Sequence, residues 1–185
     1  ALRGQCMTYA DVNGDGIAEF FLEGDDKRLH CYSATGAGEL WSNPTQMDNR
    51  YILMAADING DGRAEIVAGP YIYDAQTGTL LLHGTQDWNG RGFGVPHQGY
   101  YDDWAYYMQA LADIDHDGTL EICAGNTMYK AIITNPNGTA GNSWSIVRQA
   151  ERRPEISSWD GQTFIADFDN DGDMDICVIG YRVED

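Results

Sequence analysis

Apolar and polar positions alternate along this chain in short runs punctuated by glycine, asparagine and aspartate, and no stretch sustains the 3.6-residue period of a helix. Residues 51–83 show the pattern most plainly. Tyr51 to Ala56 is an apolar run, an acidic turn follows, and then come Glu65 to Ala68, Tyr71 to Asp74, the turn Gln76-Thr77-Gly78, and Leu80 to His83. Such a segment predicts about four strands in a meander, with glycine where a hairpin needs a positive φ. Upstream, Leu29 to Tyr32, Ala34-Thr35-Gly36 and Glu39 to Trp41 repeat the scheme; downstream, Met128 to Thr134, Pro136-Asn137-Gly138 and Trp144 to Val147 do the same.

The acidic turn is written four times, in the phrases beginning Ala10, Ala56, Ala112 and Ala166, and its first aspartates lie 46, 56 and 54 residues apart. That period suits one four-stranded sheet per repeat. The expected fold is therefore all-β, a β-propeller-like array of about three and a half four-stranded blades in a single repeat domain over residues 1–185. Its units are 1–50, 51–105, 106–160 and an incomplete 161–185. A ring needs at least four blades, and an unfinished blade leaves strand edges unpaired. Further chain or another subunit would complete it, and the same edges would support self-association or a filament. A start at Ala1 in place of Met fits a processed or longer chain.

Charge narrows the partners. The 185 residues carry 29 Asp and Glu against 11 Lys and Arg, a formal net charge of -18, which disfavours nucleic acid and anionic lipid. No run approaches the roughly 18 to 20 apolar residues of a membrane helix, so no membrane insertion is expected in this segment. With 22 Gly, 11 Tyr, 5 Trp and 5 Phe, the composition is that of a folded β-rich chain and not of an acidic disordered one.

Much of the acidity sits in the turns. Their spacing D-x-[DN]-x-D-G-x-x-[DE] places side-chain oxygens at positions one, three, five and nine, with glycine at six to allow the sharp bend. The candidate side-chain ligands are Asp11, Asn13, Asp15 and Glu19; Asp57, Asn59, Asp61 and Glu65; Asp113, Asp115, Asp117 and Glu121; and Asp167, Asp169, Asp171 and Asp175. Position seven (Ile17, Arg63, Thr119, Asp173) would add a backbone carbonyl, which frees its side chain to vary. Hard oxygens in an adaptable loop suit Ca²⁺ better than Mg²⁺, and about four ions are expected. An EF-hand is excluded, because its position twelve must be Glu and here it is Leu22, Ala68, Ala124 and Val178. As merely solvated Asp-Gly turns, the four loops would hold converging like charges with no counter-ion. Loops of modest affinity fill only in millimolar calcium, so the expected location is extracellular, secreted or at the cell surface.

These phrases resemble the FG-GAP and VCBS type repeats of integrin alpha-subunit propellers and of many secreted or surface-attached microbial proteins. The resemblance covers nearly the whole chain. It implies a β-propeller with calcium loops between the first two strands of each blade, serving adhesion, ligand display or carbohydrate attachment. Such propellers commonly have seven blades, a number that two copies of three and a half would reach. The leading functional reading is a non-enzymatic, calcium-stabilised module for adhesion or structural assembly, with a protein or glycan partner at the cell surface.

The alternative is a carbohydrate-binding or polysaccharide-lyase propeller using the aromatic stretch 86–107, where Trp88, Tyr100, Tyr101 and Trp104 could stack on sugars. Those rings could equally fill the gap between blades. No catalytic motif for nucleophilic, zinc or phosphate chemistry is present. Asn137-Gly138-Thr139 is an N-glycosylation sequon, while proline disallows Asn43-Pro44-Thr45. Cys6 and Cys31 fall on neighbouring strands and could form a disulfide; Cys123 and Cys177, in equivalent registers, read as buried thiols.

Overall fold

The computed structural model describes residues 7–47, 51–84, 109–125, 127–149, 158–159, 163–178 and 181–182, and all regular structure among them is β. Strands β1 (Met7–Ala10), β2 (Glu19–Glu23), β3 (Leu29–Tyr32) and β4 (Glu39–Ser42) form an antiparallel meander. A second meander holds β5 (Leu53–Ala56), β6 (Glu65–Ala68), β7 (Tyr71–Asp74) and β8 (Leu80–His83), and a third holds β9 (Ala110–Ala112), β10 (Glu121–Ala124), β11 (Thr127–Ile132) and β12 (Ser143–Gln149). The last strands are β13 (Ser158–Trp159), β14 (Thr163–Ala166), β15 (Asp175–Val178) and β16 (Tyr181–Arg182); β14 pairs with β15 and β13 with β16, each antiparallel. The acidic turns are the β1–β2, β5–β6, β9–β10 and β14–β15 connections.

Two compact units divide the chain, one of residues 1–84 with 133–143 and one of 85–132 with 144–185. In the first, the interior strands β6 and β7 are buried along their whole length, as expected of nearly continuous apolar runs covered on both faces. Phe21, Leu29, Cys31, Tyr51, Leu53, Ile66, Tyr71 and Tyr73 join Met47 in its core. Phe21 packs on Trp41 with ring centroids 5.8 Å apart, and buried Asn43 donates from Nδ2 to the Gly78 carbonyl at 2.5 Å. Burial of that amide is tolerated because its Oδ1 also accepts the Thr45 N–H at 2.7 Å. In the second unit, Ile122, Cys123, Met128 and Tyr129 are buried on β10 and β11.

The strands follow the apolar alternation with small shifts. The run expected from Met128 to Thr134 begins at Thr127 and ends at Ile132. Asn142 Oδ1 accepts the backbone N–H groups of Thr134 and Asn135, both at 2.8 Å, which takes these residues out of the ladder. Within the first unit, Asn142 Nδ2 also donates to the Leu81 carbonyl at 2.7 Å. Bulges interrupt the β3–β4 pairing at Cys31/Tyr32 and the β7–β8 pairing at Ile72/Tyr73. One expectation is corrected: Cys123 is buried, but Cys177 is exposed. Among the described residues it lies on β15 in a sheet of two strands, whereas β10 lies inside a sheet of four.

Gly69 opens the two-residue turn into β7 with φ 56°, and a Cβ there would fall inside the Tyr51 ring. Gly69→Ala combines a left-handed backbone with overpacking, so a loss of about 2–4 kcal/mol is expected by denaturant unfolding.

Candidate metal centres

Each acidic loop is shaped by carboxylates that accept its own backbone N–H groups, in nearly the same pattern four times. At position one, Oδ2 of Asp11, Asp57, Asp113 and Asp167 accepts the N–H of Gly16, Gly62, Gly118 and Gly172 at 2.8, 2.8, 2.9 and 3.0 Å. At position three, Asn13, Asn59, Asp115 and Asp169 accept the N–H of position five at 2.9 to 3.2 Å. Position five in turn accepts the N–H of position seven at 2.8 to 3.0 Å in all four loops. Position nine reaches back across the turn: Glu19, Glu65, Glu121 and Asp175 accept the N–H of Val12, Ile58, Ile114 and Phe168 at 3.1, 3.0, 2.8 and 3.0 Å. Wrapping the chain this tightly demands positive φ. The position-six glycines have φ of 84 to 98°, although a Cβ on them would meet nothing within 4 Å, so backbone conformation and not space calls for glycine.

In the third and fourth loops the wrap brings three carboxylates together, and among the described residues the first two loops, with asparagine at position three, form no such cluster. Oxygens of Asp113, Asp115 and Glu121 lie within 4.8 Å of one another, as do those of Asp167, Asp169 and Asp175. Two ligands at about 2.3–2.6 Å from one ion can be at most about 5.2 Å apart, so both clusters have the span of a divalent hard-cation site. Position five was expected to join them. Asp117 and Asp171 stand outside the two clusters, their Oδ1 atoms turned to the position-seven N–H groups.

The ninth position is buried where it is glutamate: Glu19, Glu65 and Glu121 are 4%, 2% and 0% exposed. Burial pushes the Glu65 carboxyl up to about 8; the Ile58 N–H opposes this, and Asp61, Asp57 and Asp74 add to it. The exposed position-one carboxylate Asp11 moves the other way, chiefly through the Gly16 N–H. In the third loop, Lys130 of β11 extends its ammonium to Asp117 Oδ2, to Glu121 Oε1 at 3.2 Å and to Asp115 Oδ2 at 3.5 Å. With Thr119, it holds the Asp117 carboxyl down at about 2.

A family model for the FG-GAP-like repeat matches residues 11–68 and 113–178, two segments that contain all four loops. The chain belongs to the FG-GAP-like repeat family. Among solved structures, these FG-GAP-like repeats are similar to the V. cholerae biofilm matrix protein Bap1, with a TM-score of 0.61 and 21% identity. The match covers 94% of this chain but only 23% of that one, and at this identity it speaks for the fold alone. A comparison with curated protein sequences found no match. No helix among the described residues of this FG-GAP-like chain is long and apolar enough to cross a membrane.

Every residue proposed as a loop ligand falls within the described FG-GAP-like segments. At position seven, Arg63 turns outward, its Nη2 2.6 Å from Asp74 Oδ2 and 3.3 Å from Gln76 Oε1, and Thr119 Oγ1 donates to Asp117 Oδ1 at 2.7 Å. Other candidates disperse. Asn137 is exposed on the turn before β12. Cys31 is a buried free thiol that burial pushes up to about 12, and Cys6 lies outside the described residues. So do Trp88, Tyr100, Tyr101 and Trp104. Sequence reasoning missed Lys130, which stands opposite Glu121 in the β10–β11 register; counting residues across that hairpin would have found it.

Glu65 supplies a pH test on the metal-free chain. Its folded-state pKa of about 8 is above the ordinary 4.5, so folding favours the protonated form. The stabilisation is fully present below about pH 4.5 and is lost as pH rises to about 8. In chelator, Tm should fall over that window, and more steeply for the native chain than for Glu65→Gln, whose amide cannot ionise.

Proposed function

We propose that this chain is an extracellular, non-enzymatic, calcium-binding repeat module for adhesion or structural assembly, with its sheets arranged as blades of a β-propeller-like array. The carrying observation is the recurrence of one cation-sized carboxylate cluster, Asp113, Asp115 and Glu121 in one loop and Asp167, Asp169 and Asp175 in another, at matching positions of a chain with net charge -18. Calcium is the preferred ion because it accepts irregular sets of six to eight oxygens, whereas Mg²⁺ demands octahedral geometry. Positions one, three and nine, with position five turning its free oxygen inward, the carbonyl at seven and water, would supply that number, one ion per loop and about four in all. An ion would take up like charge that the loops otherwise hold together, and so close each hairpin from outside the core.

An extracellular setting is supported by the weak affinity usual for exposed loops of this kind and by the fold shared with a biofilm matrix protein. The partner would be a protein, a glycan or a second copy meeting an unpaired strand edge. An exposed Asn137 fits a glycosylated surface turn where the host glycosylates.

For a Kd of about 10⁻⁴ M, calcium at about 1 mM stabilises each loop by about 1.4 kcal/mol. Adding it to chelator-stripped protein should raise Tm by roughly 3–5 °C per filled loop. Asp167→Ala should remove one increment, and equimolar magnesium should reproduce little of the gain. A total shift below about 2 °C would defeat the reading.

A further inference from the structure

The third and fourth loops each carry four carboxylates and share their backbone hydrogen bonds, yet their surroundings differ. Among the described residues, the hydrogen bonds to the carboxylates of Asp167, Asp169, Asp171 and Asp175 all come from backbone N–H groups. In the third loop a full positive charge is already present. Lys130 Nζ donates hydrogen bonds to Asp117 Oδ2 and Asp115 Oδ2 and lies in ion-pair contact with Glu121 Oε1. Two of these partners, Asp115 and Glu121, belong to the cation-sized cluster, and Glu121 is fully buried. Lys130 is anchored for this contact by strand pairing, since it stands directly across from Glu121. In the second loop the equivalent register partner of Glu65 is Asp74, a carboxylate.

We infer that Lys130 is a tethered counter-ion occupying the cation position of the third loop, so that this loop closes without metal and binds calcium more weakly than the fourth. Calcium could enter only by displacing the ammonium from two of the three cluster carboxylates, Asp115 and Glu121, or by accepting a positive neighbour in a shared cage. The inference rests on the calcium reading of the family loops and divides the four sites into two classes: three that answer to calcium and one that is held closed by lysine.

Calorimetric titration of calcium into the chelator-stripped full chain tests this, with Asp113→Ala, Asp167→Ala, Lys130→Met and the Lys130→Met/Asp113→Ala pair. The expected result is that Asp167→Ala loses a tight site while Asp113→Ala does not. Lys130→Met should gain a site about tenfold or more tighter than the native third loop, and the added Asp113→Ala should abolish it. Lys130→Arg, which keeps the charge, should behave as the native chain. In chelator, Lys130→Met should also lower Tm and recover it with calcium; a variant that folds only with calcium supports the inference equally. Loss of a tight site in Asp113→Ala alone would overturn the inference and leave the calcium reading standing. Absence of any calcium heat or Tm response in the native chain and in Lys130→Met would overturn both.

Discussion

The turns of this protein are held by carboxylates that accept hydrogen bonds from the backbone bending around them. A hairpin connection of this length exposes several N–H groups that the strand ladder cannot use. Here the side chains at positions one, three and five take up those donors, and the ninth reaches back to the second. A charged acceptor makes such bonds stronger than neutral ones. The consequence is electrostatic: like charges are concentrated in one turn, and where the ninth residue is glutamate one of them is buried. Shape and charge are therefore inseparable, because the groups that fold the loop are the groups that call for a cation.

The loops meet that demand unequally. Asn13 and Asn59 lower the formal charge of the first two, and their amide nitrogens donate to Glu19 Oε1 and Asp61 Oδ2, each at 3.2 Å. Asp115 and Asp169 keep the full charge in the third and fourth, and only the third receives an ammonium among the described residues. Repeats alike in their backbone thus differ in how much neutralisation each lacks.

Strand alternation and the Asp-x-Asx-x-Asp-Gly spacing made the meanders and the loop positions legible before any coordinates, because both signals are local. What escaped was set by distance along the chain. Lys130 lies nine residues beyond Glu121 and meets it only across a hairpin, and the pairing of Ser158 with Arg182 spans a whole acidic loop. Position four holds Gly14, Gly60, His116 and Asn170, and all four residues have φ between 59 and 76°. Histidine and asparagine tolerate that region better than most side chains, so the substitution hid the constraint. Cys177 was misplaced because its register matches Cys123, and register does not say what covers a strand.

The bulges at Cys31/Tyr32 and Ile72/Tyr73 fall at the same step, one strand before the end of the first two meanders. A bulge bends its strand and increases the local twist. When it recurs at one register, the outermost strand of each sheet swings by a similar amount from its neighbours. The first two meanders thus share an irregularity as well as a motif, and the coil of both sheets is set at one place by backbone while the side chains around it differ.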